Sequence, residues 1–161
     1  MGEPVHATSE QTLEHLLDLN VRTFLRITEH VVPHMLAAGG GRIVTVGAWG
    51  AQRGGAHLGA YAASKSALQR LTESMSAELK GQGINVNCVL PSIIDTPDNR
   101  AAMPHADPAT WVAPAALAAT VPADNAPPGF RHALERVYHF TDGAQINVFP
   151  SVPSPVGPGS T

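Results

Sequence analysis

Tyr61 and Lys65 stand one helical turn apart in the run GAYAASKSALQRL, residues 59–71. At about 100° and 1.5 Å per residue, such positions differ by about 40° around a helix and about 6 Å along it. Both side chains can therefore reach one small volume, and the chemistry open to them is proton transfer. A free phenol ionises near pH 10, and an ammonium within about 4–6 Å favours the phenolate. Lowering that pKa by about three units takes roughly 4 kcal/mol of differential stabilisation. The result is a phenol that exchanges a proton near neutral pH. Ala60, Ala62, Ala63 and Ser64 leave room for a flat molecule to approach. The plain alternative is a surface tyrosine beside a solvated lysine, which helices carry by chance.

Other residues invite chemistry with less support. Among eight histidines, His30 and His34 have the i, i+4 spacing of zinc ligands. No HExxH accompanies them and no third ligand is evident, so no metal site is expected. His57 lies in the loop before Tyr61 and suits either a pocket lining or solvent. Trp49 can stack on a flat ring or lid the core. Cys88, the single cysteine, reads as a small buried apolar residue. Arg100 and Asp107 are charges flanking an irregular segment.

The elements that must position these residues follow from periodicity. Residues 8–38 read as one helix, opened by TSEQ as a capping box with Thr8 as cap and Gln11 reaching back. Leu13, Leu17, Asn20, Phe24, Ile27 and Val31 recur on one face. The amide of Asn20 in that stripe needs a partner, since an unsatisfied one costs about 1–3 kcal/mol. Pro33 is expected to bend or loosen the last turn, and AAGGG to end the helix. RIVTV, 42–46, is a strand. A loop with five glycines spans 47–59. A helix over about 59–80 follows, with Leu68, Leu71, Met75 and Leu79 as its buried face. INVNCVL, 84–90, is the next strand and PSIIDTP leaves it. Residues 97–110 read as loop or short helices, PATWVAPAALAATV has helical potential, and AQINVF, 144–149, is a plausible last strand. This alternation argues for an α/β layer on a parallel sheet, with reactive loops at the carboxyl ends of strands: 47–59 and 91–98.

Bulk numbers bound the function. The 161 residues are 43% apolar, carry 14% charged residues and have a net charge of −3. That is enough for a core and gives no basic stripe for nucleic acid. No apolar run reaches the roughly 20 residues of a membrane span. No signal peptide is evident and the lone cysteine excludes a disulfide framework within the chain, so a cytoplasmic protein is expected. Twelve of 14 prolines follow residue 90. The expected organisation is a domain over 1–149 and a Pro/Gly/Ser tail over 150–161.

GRIVTVGAWGAQRGGAHLGAYAASKSALQRLTESMSAELKGQGINVNCVLPSIIDTP resembles the short-chain dehydrogenase/reductase family in the order and spacing of strand, loop, YxxxK helix, strand and proline exit. The similarity runs from about residue 8 to residue 114. It implies an oxidoreductase moving hydride between NAD or NADP and a C=N or C=O substrate. Tyr61 becomes the acid/base; Lys65 tunes it and holds the nicotinamide ribose. Asn20 supports a water relay to Lys65. Pro91 and Ser92 match the family's proline-glycine exit, and Ile94, through its backbone, and Thr96 match positions touching the nicotinamide carboxamide. Helices 8–38 and 59–80 would form a homodimer or homotetramer interface. Two departures stand out. Thirteen residues before Tyr61 the family usually has serine, where this chain has Ala48. Dihydropteridine reductases share that alanine and act on a ring imine, and DTPDNRAAMPHADPATW is similar to that branch. The family's glycine-rich pyrophosphate turn has no counterpart, so the expected fold is an incomplete, doubly wound Rossmann-type sheet lacking its N-terminal βαβ units. The strand at 42–46 is then expected to have an open edge. A contrasting expectation is a catalytically silent fragment serving subunit association.

Overall fold

The computed structural model of the chain describes residues 2–120 and 147–148. The expectations for 121–146, and for the tail from 149 onward, lie outside the described residues. The first helix, α1 (Glu10–Leu17), is capped by Ser9, whose hydroxyl accepts from Thr12 N at 3.1 Å. Thr8, the cap expected from TSEQ, instead donates its hydroxyl to the Pro4 carbonyl at 3.1 Å. Its side chain is thus spent before the helix begins. Ser9→Ala is expected to cost about 1 kcal/mol, read as a lower urea midpoint at constant slope. An unchanged midpoint would show that the cap contributes nothing.

A π turn, Asp18–Arg22, joins α1 to α2 (Thr23–Ala37), which continues through Pro33 to its expected end. The π turn corrects the apolar stripe. One extra residue rotates everything downstream by about 100°. Phe24 and Thr28 face inward, while Ile27 and Val31 are 55% and 36% exposed. Val32 and Met35 carry the inward face onward to Leu79, Ile84 and Val86. Gly39 ends the helix with φ +79°, a left-handed conformation that favours glycine. Gly40 N then bonds Met35 O at 2.9 Å.

Strand β1 (Gly41–Val46) pairs in parallel with β2 (Ile84–Leu90), from Gly41↔Ile84 to Val46↔Val89. Helix α3 (Gly59–Leu79) connects them and packs on both. A two-residue strand, β3 (Asn147–Val148), pairs antiparallel with β2, giving the order β1-β2-β3. Among the described residues β1 pairs with β2 alone, so its outer edge is open, as expected from the sequence. The inward side of α3 differs from the aliphatic stripe. Ala62, Ser64, Gln69 and Thr72 are buried with Leu68 and Leu79, while Leu71 and Met75 are half-buried. The helix touches the sheet on one side and α1 with the π turn on the other. Two-sided contact calls for small and polar residues that a single-face count cannot register.

Beyond β2 come α4 (Pro97–Ala102) and α5 (Pro114–Thr120), the short helices anticipated for this region. Val89, Val112 and Leu117 form a core cluster with Val44, Val46 and Ile94. This cluster anchors the segment after β2 against the sheet.

Candidate active site

Because β1 and β2 are parallel, the loops leaving them emerge side by side. Pairing continues past β1: Gly47 N donates to Val89 O and Trp49 N to Pro91 O, each at 2.9 Å. Glycine gives close packing there, since a Cβ at Gly47 would come within 2.4 Å of Leu90 Cδ2 and 3.0 Å of Cys88 Sγ and those side chains would have to shift. Ala48, between the two bonds, is 8% exposed and packs with Ala51 and Ala62. Thr45, the nearest hydroxyl in the strand, is buried and hydrogen-bonded to the Thr72 hydroxyl at 3.0 Å. It cannot stand in for a serine at Ala48.

A cleft of about 690 Å³ opens at these strand ends, with Ala48, Tyr61, Lys65, Ser92 and Ile94 in its walls. Pro91 lines its floor where the chain leaves β2. Tyr61, Lys65, Pro91, Ser92 and Ile94 are thus brought together. Asn20 and Thr96 are placed behind the cleft walls. Asn20 Nδ2 donates to Ser64 Oγ at 3.1 Å, and that hydroxyl donates to the Tyr61 carbonyl at 2.9 Å. The amide in the apolar stripe is therefore satisfied, and it braces the turn of α3 between Tyr61 and Lys65. Thr96 caps α4 by accepting from Asn99 N at 3.1 Å.

Sequence reasoning missed Ser64 and Asn99. Ser64 lies three residues after Tyr61, the back-bonding position of a helical serine. Asn99 lies three residues after a capping threonine. Its Nδ2 donates to the Ile94 carbonyl at 2.8 Å. Nearby, Arg100 binds buried Asp95 through two bonds, at 2.5 and 2.7 Å. This fork, held by Asp95, raises the guanidinium's pKa. His57 also lines the cleft and has φ +62°, a conformation non-glycine residues seldom adopt.

The electrostatics differ from the expected acid phenol. Burial pushes the Tyr61 phenol above its ordinary value, and no charge from Lys65 offsets it. Lys65 itself is pushed down, chiefly by burial. Its ammonium donates to the Val46 carbonyl at 2.9 Å, a commitment to the strand end. Desolvation therefore outweighs mutual attraction in this arrangement. Tyr61 is expected to ionise above the usual tyrosine value of about 10 in an ultraviolet difference titration, with Tyr61→Phe identifying its signal. Loss of a component titrating below that value would contradict this. The sign for stability follows. A raised folded pKa gives stability that is complete below the unfolded value and lost as pH climbs through the folded one.

Among the described residues no group of three or more His, Cys, Asp or Glu could hold a metal ion. No described helix is long and apolar enough to cross a membrane. The cleft does fit a flat cofactor ring. Gly47, Ala48 and Gly50 give one wall little bulk. Opposite, Ile94 is bridged to Val112 through its neighbours: Val112 N donates to Ile93 O at 2.7 Å and Asp95 N to Val112 O at 2.8 Å. In a parallel bridge this turns Ile94's own N–H and C=O away from Val112, giving an amide-sized donor and acceptor on one edge.

The family model described as short chain dehydrogenase matches residues 1–107. The chain belongs to that family. It is 39% identical over 93 residues to dehydrogenase/reductase SDR family member 4 of Oryctolagus cuniculus, covering 58% of this chain and 36% of that protein. Carveol dehydrogenase from Mycobacterium avium in complex with NAD has a similar fold, with TM-score 0.57, 29% identity, and 60% of this chain and 35% of that one covered. A short chain dehydrogenase from Escherichia coli CFT073 complexed with NADPH gives TM-score 0.59, 28% identity, and coverage of 65% and 43%. The chain spans about a third of the length of the curated relatives it matches. As a short-chain dehydrogenase/reductase, its α/β fold is that of the family's Rossmann-type proteins, and a nicotinamide cofactor is the family's reagent.

Proposed function

We propose that this cleft carries the proton-transfer half of a nicotinamide-dependent oxidoreductase acting on a small C=N or C=O substrate. The observation supporting it is the convergence of Tyr61, Lys65 and the outward edge of Ile94 in one cleft at the ends of β1 and β2. A bound nicotinamide would supply or take up the hydride. Tyr61 Oη gives the proton to the substrate heteroatom on reduction. Lys65 can leave Val46 for a ribose hydroxyl, bringing its charge to the phenol's side of the cleft. Asn20 keeps that turn of α3 in place through Ser64 and is proposed to support a water relay to Lys65. Pro91, Ser92 and Ile94 shape the carboxamide side, and Thr96 is proposed to act on it from behind the wall, through the Asn99 N–H that it accepts. With Ala48 in place of a hydroxyl, the reading favours a ring imine over a simple ketone. A single buried cysteine suits a reducing compartment, the cytoplasm.

Fluorescence titration with NADH and with NADPH tests the reading. Saturable binding to either is expected, and the stronger of the two gives the preference. Absence of binding to both overturns it.

One observation favours a second reading, association through helices. Leu19, Leu25, Ile27, Val31 and Leu36 are 36–60% exposed along the π turn and α2. Exposed apolar side chains of this kind, with Ile27 and Val31 one turn apart, suit a homodimer or homotetramer with α3 contributing, with or without catalysis. Sedimentation at two multiples of the monomer mass or more is expected. Monomer at all concentrations excludes it.

A further inference from the structure

We propose that Asn99 is a positioning residue for nicotinamide binding, holding the Ile94 carbonyl so that the Ile94 edge is presented rigidly to the carboxamide. The inference rests on the nicotinamide reading of the cleft. Both peptides flanking Ile94 are anchored to Val112, and one of them gains a further bond. The one between Ile93 and Ile94 gives its carbonyl to Val112 N at 2.7 Å, which points the Ile94 N–H the opposite way. The one between Ile94 and Asp95 gives its N–H to Val112 O at 2.8 Å, so its planar carbonyl also points away from Val112, where Asn99 adds a second hold. The Asn99 amide donates to that carbonyl at 2.8 Å. Its own backbone N–H is fixed by Thr96 Oγ1 at 3.1 Å, so the side chain starts from a tethered base.

Asn99 is half-buried and itself in the cleft wall. A carbonyl has two lone pairs. With one taken by Asn99, the other stays in register with the Ile94 N–H, a donor and an acceptor spaced for a primary carboxamide. An aspartate at 99 would keep the shape but set a carboxylate against a carbonyl oxygen, turning the edge aside. The residue touches the site without entering the reaction, so its effect should fall on affinity.

The test uses reduced nicotinamide mononucleotide, which probes this end of the cofactor alone, beside NADH and NADPH. Asn99→Ala and Asn99→Asp are expected to raise Kd for all three about tenfold while the thermal midpoint changes little. In turnover assays KM for the cofactor rises and kcat holds. In the unaltered protein, the Asn99 side-chain amide protons should exchange slowly with solvent. Fast exchange, or variants that bind as tightly as the parent, overturns the role of Asn99 and leaves the nicotinamide reading intact. A parent protein that binds none of the three ligands removes both.

Discussion

Tyr61→Phe is expected to lower turnover about a thousandfold, within the range lost with a positioned general acid, while cofactor affinity stays within about twofold. A thousandfold is roughly 4 kcal/mol of transition-state stabilisation. The ring fills the same space, so the cleft wall made by Tyr61 survives. What disappears is the one phenolic proton that the described residues bring to the cleft. Lys65 does not replace it: its ammonium donates to the Val46 carbonyl at 2.9 Å, and in the proposed reaction it turns to the ribose, not to the substrate heteroatom. The raised pKa of the partly desolvated phenol, 37% exposed, sharpens the expectation. A neutral phenol holds its proton across the physiological range and so serves as donor for reduction. For oxidation it must first be ionised, which needs the lysine's charge on its side. The pH profile of reduction is therefore expected to be flat through neutrality, and that of oxidation to rise with pH. Steady-state rates of Tyr61→Phe in both directions check this. Retention of more than a tenth of the parent rate would assign proton delivery to another group.

Much of this arrangement is legible in the residues alone. The strand 84–90 is plain because β-branched and apolar residues alternate between turn signals, and it forms with those bounds. The YxxxK helix is plain because its small residues and its stops are local features. Three features are not local. The π turn at Asp18–Arg22 has no residue signature, and it moved Thr28 inward in place of Ile27. The cap passed from Thr8 to Ser9 because Pro4, outside the motif, claimed the Thr8 hydroxyl. The electrostatic balance at Tyr61 depends on how deeply α3 is covered by the sheet and α1. A spacing rule gives the angle between two side chains but not the dielectric around them. Asn99 was invisible for a related reason: its partner Ile94 is a backbone carbonyl, which every residue possesses.

Ala48→Ser is expected to raise turnover on simple ketones by about 30- to 100-fold and to leave a ring-imine substrate within about threefold. The reason is the number of donors a reacting heteroatom meets. Reducing a ketone builds negative charge on oxygen, and a second donor in a dry site is worth about 10²–10³ in rate. Around Ala48 that second donor is missing. The Thr45 hydroxyl is buried against Thr72, and the backbone N–H groups of Gly47 and Trp49 are bound to Val89 and Pro91. A ketone oxygen would face Tyr61 with no hydroxyl from the β1 loop. An imine nitrogen takes up a proton outright as hydride arrives at carbon, so one donor completes the step and a second gains little. The substitution adds one oxygen at a position 8% exposed, beside Ala51 and Ala62, which are small enough to admit it. The decisive measurement is the ratio of kcat/KM for a ketone and a cyclic imine in parent and variant. A ratio that does not move shows that Ala48 plays no part in choosing between them, and the preference for C=N falls with it.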